Sequence, residues 1–239
     1  MREPIRLDKR CVELFDCSRG AAVKYIQGGW VLVDSKVEER PQFKVQDQKI
    51  ELLEGASLEP IKPVTLIFNL PQEFSTNDST AIQKLITPES HCKKDYSGVK
   101  KLNTHFHDLK PASLLQNGAS GLMVFSKDYN VLRVLLDNNR KKEEEYIIEF
   151  SDEYTPEALE QLNELATSSD ESHLKYKVSM QNETRMRFVT KFSQADQIET
   201  LCKRVGLVPV AIKRIRIGKV SMKDLPPGEW RYLSENTLF

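Results

Sequence analysis

The chain of 239 residues has no long apolar run, no excess of either charge and no cysteine framework. No stretch approaches the ~20 apolar residues of a membrane-spanning helix, and no apolar N-terminal segment resembles a signal peptide. Neither a membrane protein nor a secreted one is expected. The cysteines, Cys11, Cys17, Cys92 and Cys202, follow no paired spacing, which suits a reducing compartment, the cytoplasm. The metal-like pairs, His91-Cys92 and His105-x-His107, lack the second pair that a tetrahedral site needs, so no metal and no cofactor is expected. Lysine plus arginine balance aspartate plus glutamate at 35 each, so net charge does not announce a polyanionic partner.

What is present is a highly charged surface around a modest core, with 29% charged and 39% apolar residues. The charge is unevenly spread. The C-terminal part carries Lys203, Arg204, Lys213, Arg214, Arg216, Lys219, Lys223 and Arg231, whereas residues 143–171 are acid-rich. Patches of opposite sign on a neutral chain could orient it toward a polyanion, although ordinary surface charge would look the same.

Residues 5–55 read as two helices followed by a small sheet. Leu7, Cys11 and Leu14 recur at helical spacing, and Ser18 is a natural N-cap for a second helix whose apolar face carries Ala22 and Ile26. Gly28-Gly29 ends that helix, and strands follow at 30–33, 43–45 and 50–52. The proline- and glycine-bearing residues 54–64 read as a linker. The expected organisation is 1–56 as one domain, 57–64 as linker and 65–239 as a second domain. Residues 72–109 are polar and weakly patterned, and read as long loops.

The second domain reads as strands and helices in alternation. Residues 64–68 form a strand. A polar loop, Gln116-Asn117-Gly118-Ala119-Ser120-Gly121, feeds the apolar run Leu122-Met123-Val124-Phe125, a buried strand closed by turn residues. Residues 129–138 look helical, with Leu132, Leu135 and Leu136 on one side, and 145–150 is a strand. Thr155-Pro156-Glu157 opens a helix with cap, proline and acid in order. Residues 174–180 and 187–192 alternate as strands. Ser193, with Asp196 as its box-like partner, caps a helix with Ile198, Leu201, Cys202 and Val205 on its buried stripe. A final long strand covers 208–217.

Two stretches carry a resemblance. Arg6-Leu7-Asp8-Lys9, Ser18-Arg19, Ala22, Ile26-x-Gly28, Val31-x-Val33 and Lys36 resemble the small αL, or S-four, RNA-binding motif. That resemblance implies RNA contact through the two helices, by Arg6, Lys9, Arg10, Ser18, Arg19 and Lys24. The loop and strand of 111–128, with the tail Arg214-Ile215-Arg216-Ile217-Gly218 and Leu225-Pro226-x-Gly228-Glu229-Trp230-Arg231, resemble the RNA pseudouridine synthases of the RsuA, RluB, RluE and RluF branch. The resemblance implies an α+β fold, in which the small RNA-binding domain precedes a domain built on a mainly antiparallel mixed sheet. Further RNA contact is assigned to Lys213, Arg214 and Arg216. Tyr146 falls on the family tyrosine, which stacks on the target base and takes part in the reaction.

The frame departs from the family at its chemical positions. The catalytic aspartate falls on Gln116 and its supporting arginine on Leu114. Leu70 and Glu73 stand where the family has lysine and glycine, and Glu144 replaces another lysine. Asp196, Glu199 and Thr200 stand at arginine positions. A carboxylate can attack or accept a proton because it is anionic, and a glutamine amide can do neither. The first expectation is therefore a monomeric, cytoplasmic protein that binds structured RNA, ribosomal RNA in particular, with synthase activity lost. The second is an active synthase for ribosomal or transfer RNA with a re-sited carboxylate, Asp108 or Asp196 being the candidates. The third is a protein-interaction adaptor on the same scaffold.

Overall fold

The computed structural model describes residues 3–74, 78–113, 115, 118–137, 142–167, 176–191, 196–235 and 237–239. It divides into two units, one of Met1–Pro63 with Lys100–His107, the other of Val64–Val99 with Asp108–Phe239.

In the first unit the chain starts with β1 (Ile5–Arg6) and passes directly into α1 (Leu7–Phe15) and α2 (Arg19–Gln27). Ser18 Oγ accepts from the Ala21 amide at 3.1 Å and so satisfies a backbone donor that the first turn of α2 leaves open. Gly29 follows the helix with φ of 66°, a conformation costly for any side chain. A Cβ on Gly28 would sit 2.7 Å from the Trp30 ring, so the ring's close approach to the helix end depends on glycine there. The strands β2 (Val31–Val33), β3 (Lys36–Val37), β4 (Lys44–Val45) and β5 (Ile50–Leu52) follow. β2 is the middle of the antiparallel order β3-β2-β5, and β4 pairs with β1. Leu7, Cys11, Ala22, Ile26, Val31, Val33 and Val45 form the core between helices and sheet.

Residues 100–107 add to this unit, which a reading of 72–109 as polar loop did not anticipate. Lys100 lies 4.0 Å over the centre of the Trp30 ring and donates to the Gly29 carbonyl at 2.6 Å. Asn103, in a 3-10 turn over Asn103–His105, donates its amide to Glu39 at 2.7 Å.

The second unit is built on β6 (Thr65–Leu70), a short helix α3 (Ser79–Gln83), β7 (Lys110–Ser113), β8 (Ala119–Ser126), α4 (Tyr129–Leu136), β9 (Glu144–Phe150), α5 (Pro156–Thr167), β10 (Tyr176–Asn182), β11 (Arg185–Thr190), α6 (Gln197–Arg204), β12 (Pro209–Ile217), β13 (Val220–Ser221) and β14 (Trp230–Tyr232). Nine of these described strands make one mixed sheet in the order β10-β11-β9-β12-β8-β6-β14, with β13 on β12 and β7 on β8. Every pairing is antiparallel except β12 with β8. This is the α+β architecture that the sequence resemblance implied.

β8 is buried along its whole length, as expected of an apolar run covered on both faces. It starts earlier than the apolar run, at Ala119, because Ser120 and Gly121 are drawn into the parallel pairing with Lys213 and Arg214. The core of Ile148, Phe150, Leu162, Met186, Phe188, Ile198, Leu201 and Cys202 includes residues of α5 and α6. The core of Ile67, Leu122, Val124, Ile217 and Leu225 is joined by Leu132 and Leu135 of α4. Leu136 does not join them; it is the last residue of α4 and is 57% exposed. The box-like cap of α6 is also corrected. Gln197 opens the helix and Asp196 is itself the cap residue, with φ of 69°, while Ser193 lies outside the described residues.

Candidate functional site

The centre of the sheet contains a fork. β12 runs parallel to β8 from Ile212 to Arg214, opposite Ala119 to Gly121. β7 then takes its place beside β8, pairing with Val124, Phe125 and Ser126. The change of neighbour requires a close approach at Gly121, where φ is 95° and an added Cβ would lie 2.3 Å from the Arg214 carbonyl oxygen. Only glycine fits there. The carbonyls at the fork need donors, since an unpaired buried backbone group costs as much as a lost hydrogen bond. Arg214 supplies them. Its Nε donates to the Leu122 carbonyl at 2.9 Å and its Nη2 to the Ser113 carbonyl at 3.3 Å.

The remaining guanidinium arm meets a carboxylate. Arg214 Nη1 donates to Glu144 Oε1 at 3.1 Å, and the Tyr146 hydroxyl donates to Glu144 Oε2 at 2.5 Å. Arg214 has no exposed side-chain surface, while the Glu144 side chain retains 27%. Tyr146 is 1% exposed. Burial alone would push the Arg214 proton off, but Glu144, and after it the Tyr146 oxygen, outweigh that and hold its pKa above the usual arginine value. Burial raises the Tyr146 phenol well above its ordinary range, so the hydroxyl stays a donor. The result is an arginine, a carboxylate and a tyrosine joined at the middle of the sheet.

A β-bulge makes this arrangement. β9 and β12 pair Tyr146 with Arg214 but Glu145 with Arg216, so Ile215 is an extra residue. Residues two apart on a strand normally share a face, and a bulge re-aims one of them. Arg214 thus meets Glu144, whereas Arg216 meets Glu143 at 2.7 Å, Glu145 at 2.6 Å and the Gly218 carbonyl at 2.6 Å. Arg187 adds a second cation to Glu145 at 2.6 Å. Burial raises the Glu145 pKa, but Arg187 and Arg216 outweigh it and hold it below the usual carboxylate range.

Two of the residues assigned to RNA contact are therefore placed otherwise. Arg214 is wholly interior, and Arg216 is only 25% exposed and clamped between two acids. The physical reason is the acid-rich stretch itself, whose first three residues draw these cations inward. Lys213 is half-buried on β12. Tyr146 lies in the cluster, and its ring is covered. Leu114 and Gln116 lie outside the described residues. Asp108 is exposed with φ of 55°, and Asp196 caps α6. The carboxylate on the Tyr146 hydroxyl is Glu144, noticed in the sequence only as a lost lysine. Its signal was there, because two residues along a strand places Glu144 on the face of Tyr146.

In the first unit the exposed cations are organised by a buried acid. The Asp8 side chain, 1% exposed, accepts from Arg6 Nε and Nη2 at 3.0 Å each and from Arg19 Nε at 3.1 Å. Arg6 remains 43% and Arg19 60% exposed. Burial raises the Asp8 pKa, but Arg6, Arg19 and the Lys9 amide outweigh it and lower it overall. Lys9 and Lys24 are exposed, Arg10 pairs with Glu13 at 2.8 Å, and Ser18 is taken up by its capping role. Asp8 was read from the sequence as part of the Arg6-Leu7-Asp8-Lys9 motif but not as the acid that holds Arg6 and Arg19; its place beside Leu7 and Cys11 on the buried stripe was the available signal.

No group of three or more potential metal ligands occurs among the described residues. His91 is engaged by Asp95 at 2.7 Å and stacked on Trp230. No described helix is long and apolar enough to cross a membrane.

Comparison with known proteins agrees along the whole chain. No family model matches. An uncharacterized RNA pseudouridine synthase of Aquifex aeolicus is 28% identical over 234 residues, covering 97% of this chain and 93% of the relative. The dual-specificity RNA pseudouridine synthase RluF of Escherichia coli is 24% identical, over 98% of this chain and 77% of its own length. The ribosomal small subunit pseudouridine synthase A of Vibrio parahaemolyticus is 24% identical over 97% of both chains. A crystal structure of a pseudouridylate synthase superposes with a TM-score of 0.56 over 96% of both chains at 18% identity, so the fold is shared.

Proposed function

We propose that this chain, similar over nearly all its residues to the RsuA/RluF-type RNA pseudouridine synthases, is a cytoplasmic, monomeric RNA-binding protein of ribosomal RNA whose synthase activity has been lost. The observation that carries this reading is the closed state of the Glu144 carboxylate. One oxygen accepts from Arg214 and the other from Tyr146, which is itself 1% exposed. A synthase must break a glycosidic bond and rejoin the base through carbon, and the family does so with an anion held by an arginine. Here Leu114 stands at that arginine's position, and the arginine of the cluster, Arg214, already has a counter-ion in Glu144 on the neighbouring strand. The tyrosine has no free ring face for a base. The family's aspartate position is the neutral Gln116. Loss of a group that a mechanism depends on costs on the order of 10⁴-fold in rate.

RNA binding rests on different residues. Arg6 and Arg19 expose guanidinium groups fixed by Asp8, and the two helices that follow Arg6 also carry the exposed Lys9 and Lys24. Such cations meet phosphates, which positions RNA without reading its sequence. The four free cysteines fit a reducing cytoplasm.

The test is to incubate the purified protein with ribosomal RNA lacking pseudouridine, map the modification and titrate binding against salt. The expected outcome is binding with a steep salt slope and no new pseudouridine. Absence of salt-dependent binding would favour an adaptor instead. A second reading has one observation in its favour, because Glu144 keeps 27% of its side-chain surface and is held by an arginine. On that reading Glu144 is the re-sited carboxylate, and product would form with the wild type and vanish with Glu144→Gln.

A further inference from the structure

Outside the cluster and the N-terminal helices, one loop of the second unit combines exposed cations with an exposed aromatic. Tyr96 is 89% exposed. A large ring so placed adds almost nothing to the core, since hydrophobic stabilisation scales with the area removed from water. Lys93 and Lys94 precede it, both exposed, and the exposed Lys223 adjoins Asp224, which binds Lys94 at 3.1 Å. The Lys94 pKa is raised, first by Asp224 and to a lesser degree by the Tyr96 oxygen, which places lysine and tyrosine in one local field.

The loop is pinned. Asp95 accepts from His91 Nε2 at 2.7 Å, from the Ser97 amide at 2.9 Å and from the Tyr232 amide at 2.9 Å. The Cys92 amide donates to the Trp230 carbonyl at 2.8 Å, and His91 stacks on Trp230 with ring centres 4.3 Å apart. Ser97 Oγ accepts from the Val99 amide at 3.2 Å. Both residues beside Tyr96 are thus tied down, and the ring is presented on a framework whose ordering cost is already met.

We propose that the loop bearing Lys93, Lys94 and Tyr96 is an RNA contact, in which the Tyr96 ring stacks on an unpaired base and the two lysines meet the adjoining phosphates. This rests on the RNA-binding reading above and adds to it a preference for unpaired nucleotides. Every base has a π-face, so an aromatic platform flanked by cations recognises single strands without sequence preference. A protein partner fits less well, because protein interfaces are depleted in lysine.

The test uses the whole 239-residue chain and two fluorescent RNA probes of equal length, a stem-loop with an unpaired loop and a blunt duplex. Tyr96→Ala weakens stem-loop binding about tenfold and leaves duplex binding unchanged. Tyr96→Phe binds as the wild type does. The Lys93→Ala/Lys94→Ala double variant lowers the log–log salt slope by about 1.4 for the single-stranded contact. All variants melt with the wild type, because the altered side chains are exposed. Unchanged stem-loop affinity in Tyr96→Ala, with wild-type binding intact, overturns the loop contact and leaves the RNA reading standing. Equal loss on both probes overturns stacking. No wild-type binding to either probe removes both.

Discussion

Arg214 Nη1 lies 3.1 Å from Glu144 Oε1, and this contact joins a guanidinium with no exposed surface to the one carboxylate found on the Tyr146 hydroxyl among the described residues. The pair sets a carboxylate against the buried guanidinium at the middle of the sheet. The consequences can be measured.

Glu144→Gln leaves the buried guanidinium without its counter-ion. Removing one partner of a buried ion pair costs about 3–5 kcal/mol, and the partial exposure of Glu144 puts the expected loss at the lower end. Urea denaturation would show a lower midpoint with little change in slope. Restoring the family-type lysine with Glu144→Lys sets two cations together and destabilises further. A midpoint for Glu144→Gln equal to the wild type would mean that Arg214 is neutralised elsewhere.

Gly121→Ala places a Cβ 2.3 Å from the Arg214 carbonyl on a backbone with φ of 95°. The parallel pairing of β8 and β12 must open to admit it. The expected cost exceeds the ~1 kcal/mol of an ordinary glycine substitution, since strain and a lost strand contact add. Calorimetry would show a clear fall in melting temperature. Gly98→Ala, whose Cβ meets nothing within 4 Å at φ of 73°, should cost less.

Acid should weaken the fold through Asp8, Asp95 and Glu145. Burial opposes ionisation in each, but the arginines, His91 and backbone amides around them lower all three pKa values overall. A carboxyl group with a folded pKa below its unfolded one stabilises the native state above the unfolded value, near ~4. That stability is lost as pH falls through the folded values. Chemical denaturation should give a flat stability from neutral pH to about 5 and a decline below about 4. Asp8→Asn, Asp95→Asn and Glu145→Gln should each shallow the decline.

Thiol chemistry should separate the cysteines. Burial, with smaller contributions from nearby acidic groups, pushes Cys11 and Cys202 up to about 12, and Cys17 is only half-buried. The thiolate is the reacting form, so a maleimide at pH 8 should label Cys17 first under native conditions. Peptide mass spectrometry of timed samples would show Cys11 and Cys202 labelled only on unfolding.

Much of the fold could be read from the residues. Leu7, Cys11, Ala22 and Ile26 announce their helices by spacing, Ser18 and Gly29 mark a start and a stop, and Leu122 to Phe125 announce a buried strand. β7 could not be read, because Lys-Pro-Ala-Ser has no strand pattern and becomes a strand only by filling the place that β12 vacates beside β8. Residues 100–107 gave no sign that Lys100 would lie on Trp30, a contact between residues seventy positions apart. At the candidate site, alternation alone puts Arg214 and Arg216 on one face, and the bulge at Ile215 separates them. Tyr146 was legible by resemblance, whereas Glu144 required the register of β9 against β12 to show which cation it meets.

Formation of pseudouridine replaces the hydrogen on uracil C5 by a bond to the ribose, so tritium at that carbon is released to water. The most direct measurement is therefore single-turnover tritium release from 5-tritiated ribosomal RNA with protein in excess, run beside a binding titration. Saturated binding with release no faster than in buffer is the predicted result. Stoichiometric release by the wild type, abolished in Glu144→Gln, would contradict it.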